Sequence, residues 1–413
     1  MFNLNIKSET GKLKLVLLHE PGKEVENMTP DTAERALYSD ILNLSVASKE
    51  YGYFKEVLKK IANVFEVKEM LLRVTSNNKA RMQIIEEISQ YKGNDNLAKQ
   101  LQFLSNEELT RQILEGVPLA ENSLTNFLSR DRYILSPLHN IFFTRDATFV
   151  IGNSLFIGSM AKRIRVPEAI IIKSLFEFEG DFNGDIIPLD LSQRVKGDNA
   201  TIEGGDIIVV SEDTLIIGIG SRTNSHGVDL LVEELTVRTN IKYILIQELP
   251  DKPESFIHLD MVFTLLSENE CMLYEPLILG STKYHTVLMK IKGNKVTKIE
   301  YVRNLLDGLK IAGHEFSVLR CGGSERIWQD REQWQSGANF LSFAPGKVIG
   351  YDRNIRTADE LNKNGYEVVS AKEFLSDSRI ADEHKKLLIT IPGSELSRGG
   401  GGPRCMSMPL LRD

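Results

Sequence analysis

Cys405 is the residue of this sequence best suited to nucleophilic chemistry. It follows four glycines, a proline and an arginine in the segment Gly399–Arg404. Glycines allow a backbone to approach a ligand closely, and Arg404 is expected to favour the thiolate, which is the nucleophilic form of cysteine. The other two cysteines, Cys271 and Cys321, lie in or just after apolar strand-like runs. We therefore expect these two thiols to be inert parts of the core.

The glycine run also has alternative roles. A flexible linker to the last residues has the same composition, and the sequence leaves this alternative open. A phosphate-binding loop needs Lys-Ser/Thr after its glycines, and Pro403–Cys405 does not supply them. Gly218 and Gly220 resemble the start of a dinucleotide-binding fingerprint, but Thr223 stands where the third glycine is required. The sequence therefore supports no nucleotide site.

His258 is the best candidate for the proton carrier that a cysteine nucleophile needs. It lies two residues before Asp260 at the start of a predicted hairpin, and strand alternation would place both side chains on one face. Acidic clusters precede two other hairpins, with Asp146 in one and Glu203 and Asp206 in the other. Such groups would converge at the axis of a radial fold and suit a small cationic substrate. A solvated strand end is the alternative for His258.

A metal site is the other chemistry that these residues could support. Its ligands would be Glu203, Asp206, His258 and Asp260. Only one of the four is a histidine, and the sequence has no spaced histidine pair of the kind typical of zinc sites. We expect no metal and no organic cofactor.

Four segments share one plan, in which two apolar strands around a short turn precede an amphipathic helix and another strand. The first hairpin turns at Gly152–Asn153 and the second at Ser211–Asp213. A fifth unit combines both ends of the chain, residues 12–22 and 405–413. Repeated units of this kind indicate packing around a shared axis. Pairing the two ends would close the ring without an exposed edge.

The stretch from Val67 to Leu128 departs from this plan, because it shows helical periodicity and no strand-type alternation. We predict an α/β domain of residues 1–66 and 130–413. Residues 67–129 are predicted to form an all-helical insertion domain.

Composition excludes several classes of protein. The 413 residues carry 50 lysines and arginines against 57 aspartates and glutamates, a net charge of −7, which disfavours non-specific nucleic-acid binding. A hydrophobic content of 42% fits a packed globular chain, and three widely spaced cysteines make no disulfide framework. The N-terminal residues lack a signal peptide's apolar region, and no uncharged apolar run approaches the length of a membrane helix. We expect a cytoplasmic protein with no membrane partner.

Six short motifs occur in the order typical of one family. They are GKLKLVLLHEPG with a following MTP, HNIFFTRD, IEGGD, GSRT, FIHLDMVFT and RCMSMPL. With these motifs the chain resembles the arginine deiminases of the guanidine-modifying superfamily over nearly its whole length. Each motif alone has little specificity, whereas six in the same order are very specific.

The resemblance implies a pseudo-symmetric five-bladed α/β propeller of ββαβ repeats with a helical insertion. It also implies hydrolysis of L-arginine to L-citrulline and ammonia without a metal or organic cofactor. Relatives form dimers or tetramers, so a homo-oligomer is expected.

Site roles follow from the same motifs. Cys405 would attack the guanidinium carbon, and His258 would protonate the departing ammonia and then activate water. Glu203 would hold His258 and one guanidinium nitrogen, while Asp146 and Asp260 would each pair with guanidinium nitrogens. Asp206 matches a residue that orders the site. Three residues match the clamp for the amino-acid carboxylate and backbone of the substrate: Asn140, Arg165 and Arg222.

One position departs from the family pattern. Gly400 stands where family members carry an arginine that resembles a gate or carboxylate clamp. Arg398 or Arg404 is a hypothetical substitute for it.

Two alternatives to an arginine deiminase stay open. Another guanidine-modifying enzyme (an agmatine or methylarginine deiminase, or an amidinotransferase) would share the reacting groups. Agmatine has no carboxylate, so Arg165 and Arg222 would discriminate against it. A non-catalytic arginine-binding paralogue is the second alternative. Retention of the whole catalytic set argues against that role, and the change at Gly400 argues for it.

Overall fold

The computed structural model describes residues 1–36, 38–129, 131–189, 200–280 and 283–413. The domain boundary predicted between residues 129 and 130 falls at residue 130, which lies outside the described residues.

Among the described residues, five β-sheets share one strand arrangement. In each sheet, two strands pair antiparallel and a third pairs parallel with one of them. Sheet by sheet, these strands are Met408–Arg412, Leu13–Leu18 and Asn63–Glu66; Thr148–Ile151, Ser154–Ile157 and Asp185–Pro188; Ile207–Ser211, Thr214–Ile219 and Tyr243–Glu248; Phe263–Leu265, Glu270–Leu273 and Ser317–Arg320; and Leu341–Ala344, Lys347–Tyr351 and Leu387–Ile391.

Additional strands extend two of these sheets. The third sheet continues through Thr286–Lys292 and Lys295–Val302, and the last also contains Glu367–Ser370. Two short pairs complete the strands, Phe2–Asn3 with Phe182–Asn183 and Val117–Pro118 with Tyr133–Leu135.

In chain order, most helices lie between strands. The α-helices are Lys23–Glu26, Pro30–Ala36, Leu44–Ile61, Val67–Thr75, Asn78–Lys92, Asp95–Leu101, Asn106–Glu115, Leu124–Phe127, Thr144–Ala147, Val166–Phe178, Ser225–Arg238, Glu275–Ile278, Leu305–Ile311, Arg326–Trp334, Ile355–Lys363, Ala371–Ser376 and Ile380–Glu383. The 3₁₀ helices are Arg163–Arg165, Gly204–Asp206, Glu254–Phe256, Leu259–Met261 and Leu396–Gly399.

The predicted turn at Gly152–Asn153 and the predicted pairing of the two chain ends are confirmed. Gly152, with a φ of 58°, and Asn153 connect two antiparallel strands, and a glycine tolerates that left-handed conformation best. The strand Met408–Arg412 pairs antiparallel with Leu13–Leu18, which places Cys405 at the start of a buried strand pair.

The helices from Val67 to Glu115 pack against one another and against the helix Val166–Phe178. Met70, Ile84 and Leu109 from these helices belong to the same buried cluster as Phe149 and Ile172 from the following unit. Their apolar faces are therefore buried by the rest of the fold.

The segment with His258 is not a strand, so that prediction is wrong. His258 precedes the 3₁₀ helix Leu259–Met261, and the strand begins only at Phe263. The tight turn still brings the two predicted polar side chains into the interior, since His258 and Asp260 are both buried.

Glu50 holds the loop that leads into the glycine run. Its buried carboxylate accepts hydrogen bonds from the backbone N–H groups of Glu395, at 3.0 Å, and Leu396, at 2.9 Å. These bonds tie the helix Leu44–Ile61 to the chain just before Gly399. In the described part of the chain, no helix combines the length and apolar character needed to cross a membrane.

Candidate active site

The Cys405 thiol is buried and has a close amide neighbour. Asn339, just before the strand Leu341–Ala344, donates a hydrogen bond from its side-chain nitrogen to Sγ of Cys405 at 3.1 Å. The side-chain oxygen of Asn339 accepts the backbone N–H groups of Arg404 and Cys405, at 3.0 and 3.2 Å. Its N–H group also donates to the backbone oxygen of Asp260 at 3.0 Å. Asn339 therefore fixes both the backbone and the sulfur of Cys405.

Asp260 lies beside the sulfur, with its carboxylate oxygens 3.6 and 3.7 Å from Sγ of Cys405. The guanidinium of Arg404 pairs with Asp260 at 2.7 Å and with Glu9 at 3.0 Å. All four side chains are buried. The charge of Arg404 is therefore shared by two carboxylates.

Arg404 favours the thiolate of Cys405, as the sequence predicted, but other groups outweigh its influence in the protein without substrate. Burial raises the pKa of the Cys405 thiol well above its ordinary value, and the carboxylates of Asp260 and Asp146 raise it further. Arg404 lowers that pKa, but its effect is smaller than these. The Cys405 thiol is therefore neutral in the protein without substrate.

His258 lies between two carboxylates. Its Nε2 is 2.9 Å from an oxygen of Glu203, and its Nδ1 is 3.6 Å from an oxygen of Asp146. Burial lowers the pKa of His258, but Asp146, the hydrogen bond with Glu203 and the charge of Asp206 outweigh burial and raise it to about 9. The ring is therefore protonated at neutral pH and can act as a general acid.

Glu203 carries a negative charge although it is buried. Burial opposes ionisation, but Arg222, the hydrogen bond with His258 and Arg165 hold the pKa of Glu203 well below its usual range. Its neighbour Gly205 lets the histidine ring approach, because a Cβ at this glycine would lie 2.6 Å from ring atoms of His258.

Arg165 and Arg222, the two predicted clamp arginines, are buried against these carboxylates. Arg165 contacts Asp146 at 2.7 Å and Glu168 at 2.9 Å, while Arg222 lies 3.4 Å from Glu203. Burial raises the pKa of Glu168 to about 7, even though Arg165 lowers it. The guanidinium of Arg165 thus occupies a position between carboxylates of the kind predicted for a substrate guanidinium.

Asp206 supports the histidine segment. One of its oxygens accepts the backbone N–H of Leu259 at 2.9 Å, directly after His258. Burial raises the pKa of Asp206 to about 7, against the opposing influence of His258.

The remaining residues considered from the sequence are Asn140, Gly400 and Arg398. Asn140 donates to the backbone oxygen of Ala36 at 2.9 Å. Gly400 has a φ of 83°, a conformation that side-chain-bearing residues rarely adopt. Arg398 is 43% exposed and pairs with Asp40 and Glu395. Because Arg404 is engaged with Glu9 and Asp260, only Arg398 keeps partial exposure as a substitute for the family's loop arginine.

The candidate metal ligands that lie close together in the structure differ from the four residues named from the sequence. Within the described ranges, ligand atoms of Asp146, Glu203 and His258 lie within 4.8 Å of one another. In contrast, Asp206 faces Leu259 and Asp260 faces Arg404. The positive charges of Arg165, Arg222 and protonated His258 already compensate the three-residue group, which disfavours an additional cation.

The sequence matches one family throughout. A profile of that family, described as "Arginine deiminase", matches residues 34–412. An arginine deiminase from Bacillus cereus is 34% identical over 428 aligned residues, covering 99% of this chain and 98% of the relative. One from Clostridium perfringens is 31% identical over 434 residues, with the same coverage. This chain belongs to the arginine deiminase family.

Solved structures show the same mixed α/β fold. An amidinotransferase from Microseira wollei has a TM-score of 0.53 at 13% identity and covers 99% of this chain and 97% of its own. A dimethylarginine dimethylaminohydrolase adduct with S-methyl-L-thiocitrulline has a TM-score of 0.52 at 12% identity, with 96% and 99% covered. Unliganded AgrE has a TM-score of 0.54 at 13% identity, and the match covers 96% of this chain and 40% of AgrE. At these identities, the similarity shows fold alone.

Three buried residues near the arginine deiminase motifs were missed by the sequence analysis. Asn339 contacts the thiol, Glu9 pairs with Arg404, and Glu168 pairs with Arg165. Glu168 had a local signal, since it lies three residues after Arg165 on one helix face. The other two had none, because their partners are distant in sequence.

Replacement of Asn339 is predicted to impair the nucleophile. Asn339→Ala removes the donor to Sγ and leaves two backbone N–H groups unpaired, so Cys405 moves. We expect kcat/KM for L-arginine to fall on the order of 100-fold, the scale of a small misplacement of reacting groups. The Cys405 alkylation rate should change as well. Asn354→Ala is the control, because Asn354 is also buried and its side chain donates to the backbone oxygen of Gln335 rather than to a group of the site. Equal losses in both variants would contradict a positioning role.

The elevated pKa of His258 predicts a pH dependence. If imidazolium is required, kcat/KM falls as pH rises through about 9. Asp206→Asn keeps an oxygen for the N–H of Leu259 and removes a charge that stabilises the imidazolium. The alkaline limb should therefore move to lower pH. Asp185→Asn, at an exposed carboxylate, should leave it in place. An unchanged limb in Asp206→Asn would show that the limb does not report His258.

Proposed function

We propose that this protein hydrolyses L-arginine to L-citrulline and ammonia through a covalent intermediate on Cys405. Membership of the arginine deiminase family supports the reaction. The observation that carries the mechanism is one buried set of groups: the thiol lies beside Asp260, the protonated histidine lies between Asp146 and Glu203, and the charge of Asp146 acts on both the thiol and the histidine. A guanidinium ion is delocalised and matches carboxylates bidentately, so this set suits a guanidino substrate.

Substrate charge would activate the nucleophile. The carboxylates of Asp146 and Asp260 raise the pKa of the Cys405 thiol. A guanidinium bound between them would cancel this effect and add a positive charge beside the sulfur. The thiol would then release its proton to water, and the thiolate would form where it can attack.

The chemistry then divides into two steps. The thiolate of Cys405 bonds to the guanidinium carbon, and His258 gives its proton to one nitrogen, which leaves as ammonia. Neutral His258 next takes a proton from water as its oxygen bonds to the same carbon. Collapse of that adduct breaks the carbon–sulfur bond as the hydroxyl proton passes to the departing sulfur, releasing citrulline and the Cys405 thiol. Glu203 keeps His258 oriented in both steps.

Arg165 gives substrate binding a conformational requirement. Its guanidinium bonds to Asp146, the carboxylate proposed for the substrate. We propose that arginine displaces this contact and that Arg165 then pairs with the carboxylate of the substrate, together with Asn140 and Arg222. Gly400 leaves the loop without the arginine of other family members, which makes Arg165 and Arg222 the main clamp.

The family also supports a proposed architecture. The five sheets with one shared strand arrangement suit a pseudo-symmetric five-bladed α/β propeller, with residues 1–66 and 130–413 as the catalytic domain. Residues 67–129 would form its helical insertion. A homo-oligomeric, dimeric or tetrameric, cytoplasmic enzyme is proposed on the same basis.

Product analysis tests the proposed function. Purified protein should release citrulline and ammonia in equal amounts from L-arginine, and Cys405→Ser should abolish both. Cys321→Ser is the matched control and should keep activity, because Cys321 is buried away from these groups beside Thr357.

Agmatine distinguishes the nearest alternative. Weak turnover of agmatine in the natural protein, with L-arginine turnover lost in Arg222→Glu, supports an arginine enzyme. Preferential turnover of agmatine, or full retention of arginine turnover in that variant, would contradict it. A folded protein that binds L-arginine without releasing citrulline would indicate the non-catalytic alternative.

A further inference from the structure

Three buried arginines lie around one glutamate, and one of them, Arg404, directly precedes Cys405. Arg404 donates two hydrogen bonds to Glu9, at 3.0 and 3.2 Å. Arg145 lies 3.5 Å from the same carboxylate. Arg412 donates to the backbone oxygen of Gly11 at 2.7 Å, and its charge acts on Glu9. All three arginine side chains are buried.

Positive charge is in excess at this place. The carboxylates that act most strongly on the three cations are Glu9 and Asp260, so one positive charge lacks a counterpart. Burial and the nearby Arg404 lower the pKa of Arg145 to about 9 and that of Arg412 to about 10, although Glu9 raises both. An uncompensated buried charge is unfavourable.

Several N–H donors of these arginines also lack acceptors. In the part of the chain that the structure describes, Nη2 of Arg145 and both Nε and Nη2 of Arg412 have no hydrogen-bond partner. Arginine keeps all its N–H groups as donors and accepts none. Buried donors of this kind are normally satisfied by protein, water or an ion.

A narrow cavity lies between the same side chains. Glu9, Arg145 and Arg412 line it together with apolar residues such as Phe149 and Ile207. Its volume, taken as the space open to the centre of a water molecule, is about 10 Å³. That space suits one water-sized occupant, which excludes organic anions and polyatomic anions such as phosphate.

We propose that this cavity binds one small monovalent inorganic anion of the size of chloride. The anion would accept hydrogen bonds from the free donors of Arg145 and Arg412 and supply the missing negative charge. A water molecule would satisfy donors but leave the charge uncompensated. The oxygens of Glu9 also line the cavity and repel an anion, but Arg404 neutralises that carboxylate through two hydrogen bonds.

The anion site is connected to the active site through Arg404. This side chain contacts Glu9 at one end of its guanidinium and Asp260 at the other, and Asp260 lies beside Cys405. A bound anion would compensate the charges of Arg145 and Arg412. Glu9 would then pair with Arg404 alone. The inference does not depend on which guanidino compound is the substrate.

Bromide provides a direct test on the natural protein. Crystals grown with bromide in place of chloride should show an anomalous difference peak within hydrogen-bond distance of Nε of Arg412 and Nη2 of Arg145. The peak should persist at millimolar bromide. Absence of the peak, or water-level density without an anomalous signal, would overturn the proposal. A peak only at near-molar bromide would indicate an adventitious ion only.

Thermal unfolding gives an independent test. A ligand that binds only the folded state raises Tm as its concentration increases. Chloride should therefore raise Tm by a few degrees relative to gluconate at equal ionic strength. Arg412→Gln should abolish this difference, and Arg132→Gln, at an exposed arginine, should retain it. Equal Tm values in chloride and gluconate for the natural protein would contradict the proposal, whether or not Arg412→Gln folds.

Discussion

Ionised groups removed from water must be paired, and this constraint determines the arrangement of the site. Glu203 faces His258, Arg165 and Arg222, while Asp260 faces Arg404. The pairings of Glu203 keep its carboxylate charged in an interior where burial alone would protonate it. Asp146 and Glu203 keep the histidine protonated, whereas burial and nearby carboxylates keep the thiol neutral. We propose that a guanidinium substrate enters this site by displacing Arg165 from Asp146, and that its charge then changes the protonation state of Cys405.

The fold meets this constraint by bringing together segments that are far apart in sequence. Glu9, before the first sheet, pairs with Arg404, just before the last strand. The antiparallel pairing of Leu13–Leu18 with Met408–Arg412 makes that contact possible. Asn339, from another sheet, then fixes the Cys405 backbone. Because the groups come from different sheets, the site forms only when the sheets have assembled.

Local sequence patterns predicted the parts of the structure that local forces control. The turn at Gly152–Asn153 followed from alternating apolar residues and a glycine, and the helices after Val67 followed from their periodicity. The segment at His258 was assigned wrongly, because a three-residue 3₁₀ turn is too short to leave a periodic signal. The engagement of Arg165 by Asp146 could not be predicted, since it depends on the relative burial of residues from separate elements. The role of Asn339 could not be predicted for the same reason.

Trapping the covalent intermediate tests the central claim most directly. The protein would be mixed with L-arginine carrying ¹³C at its guanidinium carbon and ¹⁵N at its guanidinium nitrogens, then quenched in acid within one turnover and digested for mass spectrometry. The account predicts an adduct on the peptide with Cys405 that retains the labelled carbon and has lost one labelled nitrogen, at a rate sufficient for citrulline formation. Citrulline released without any adduct on Cys405, or with the adduct on another residue, would contradict it.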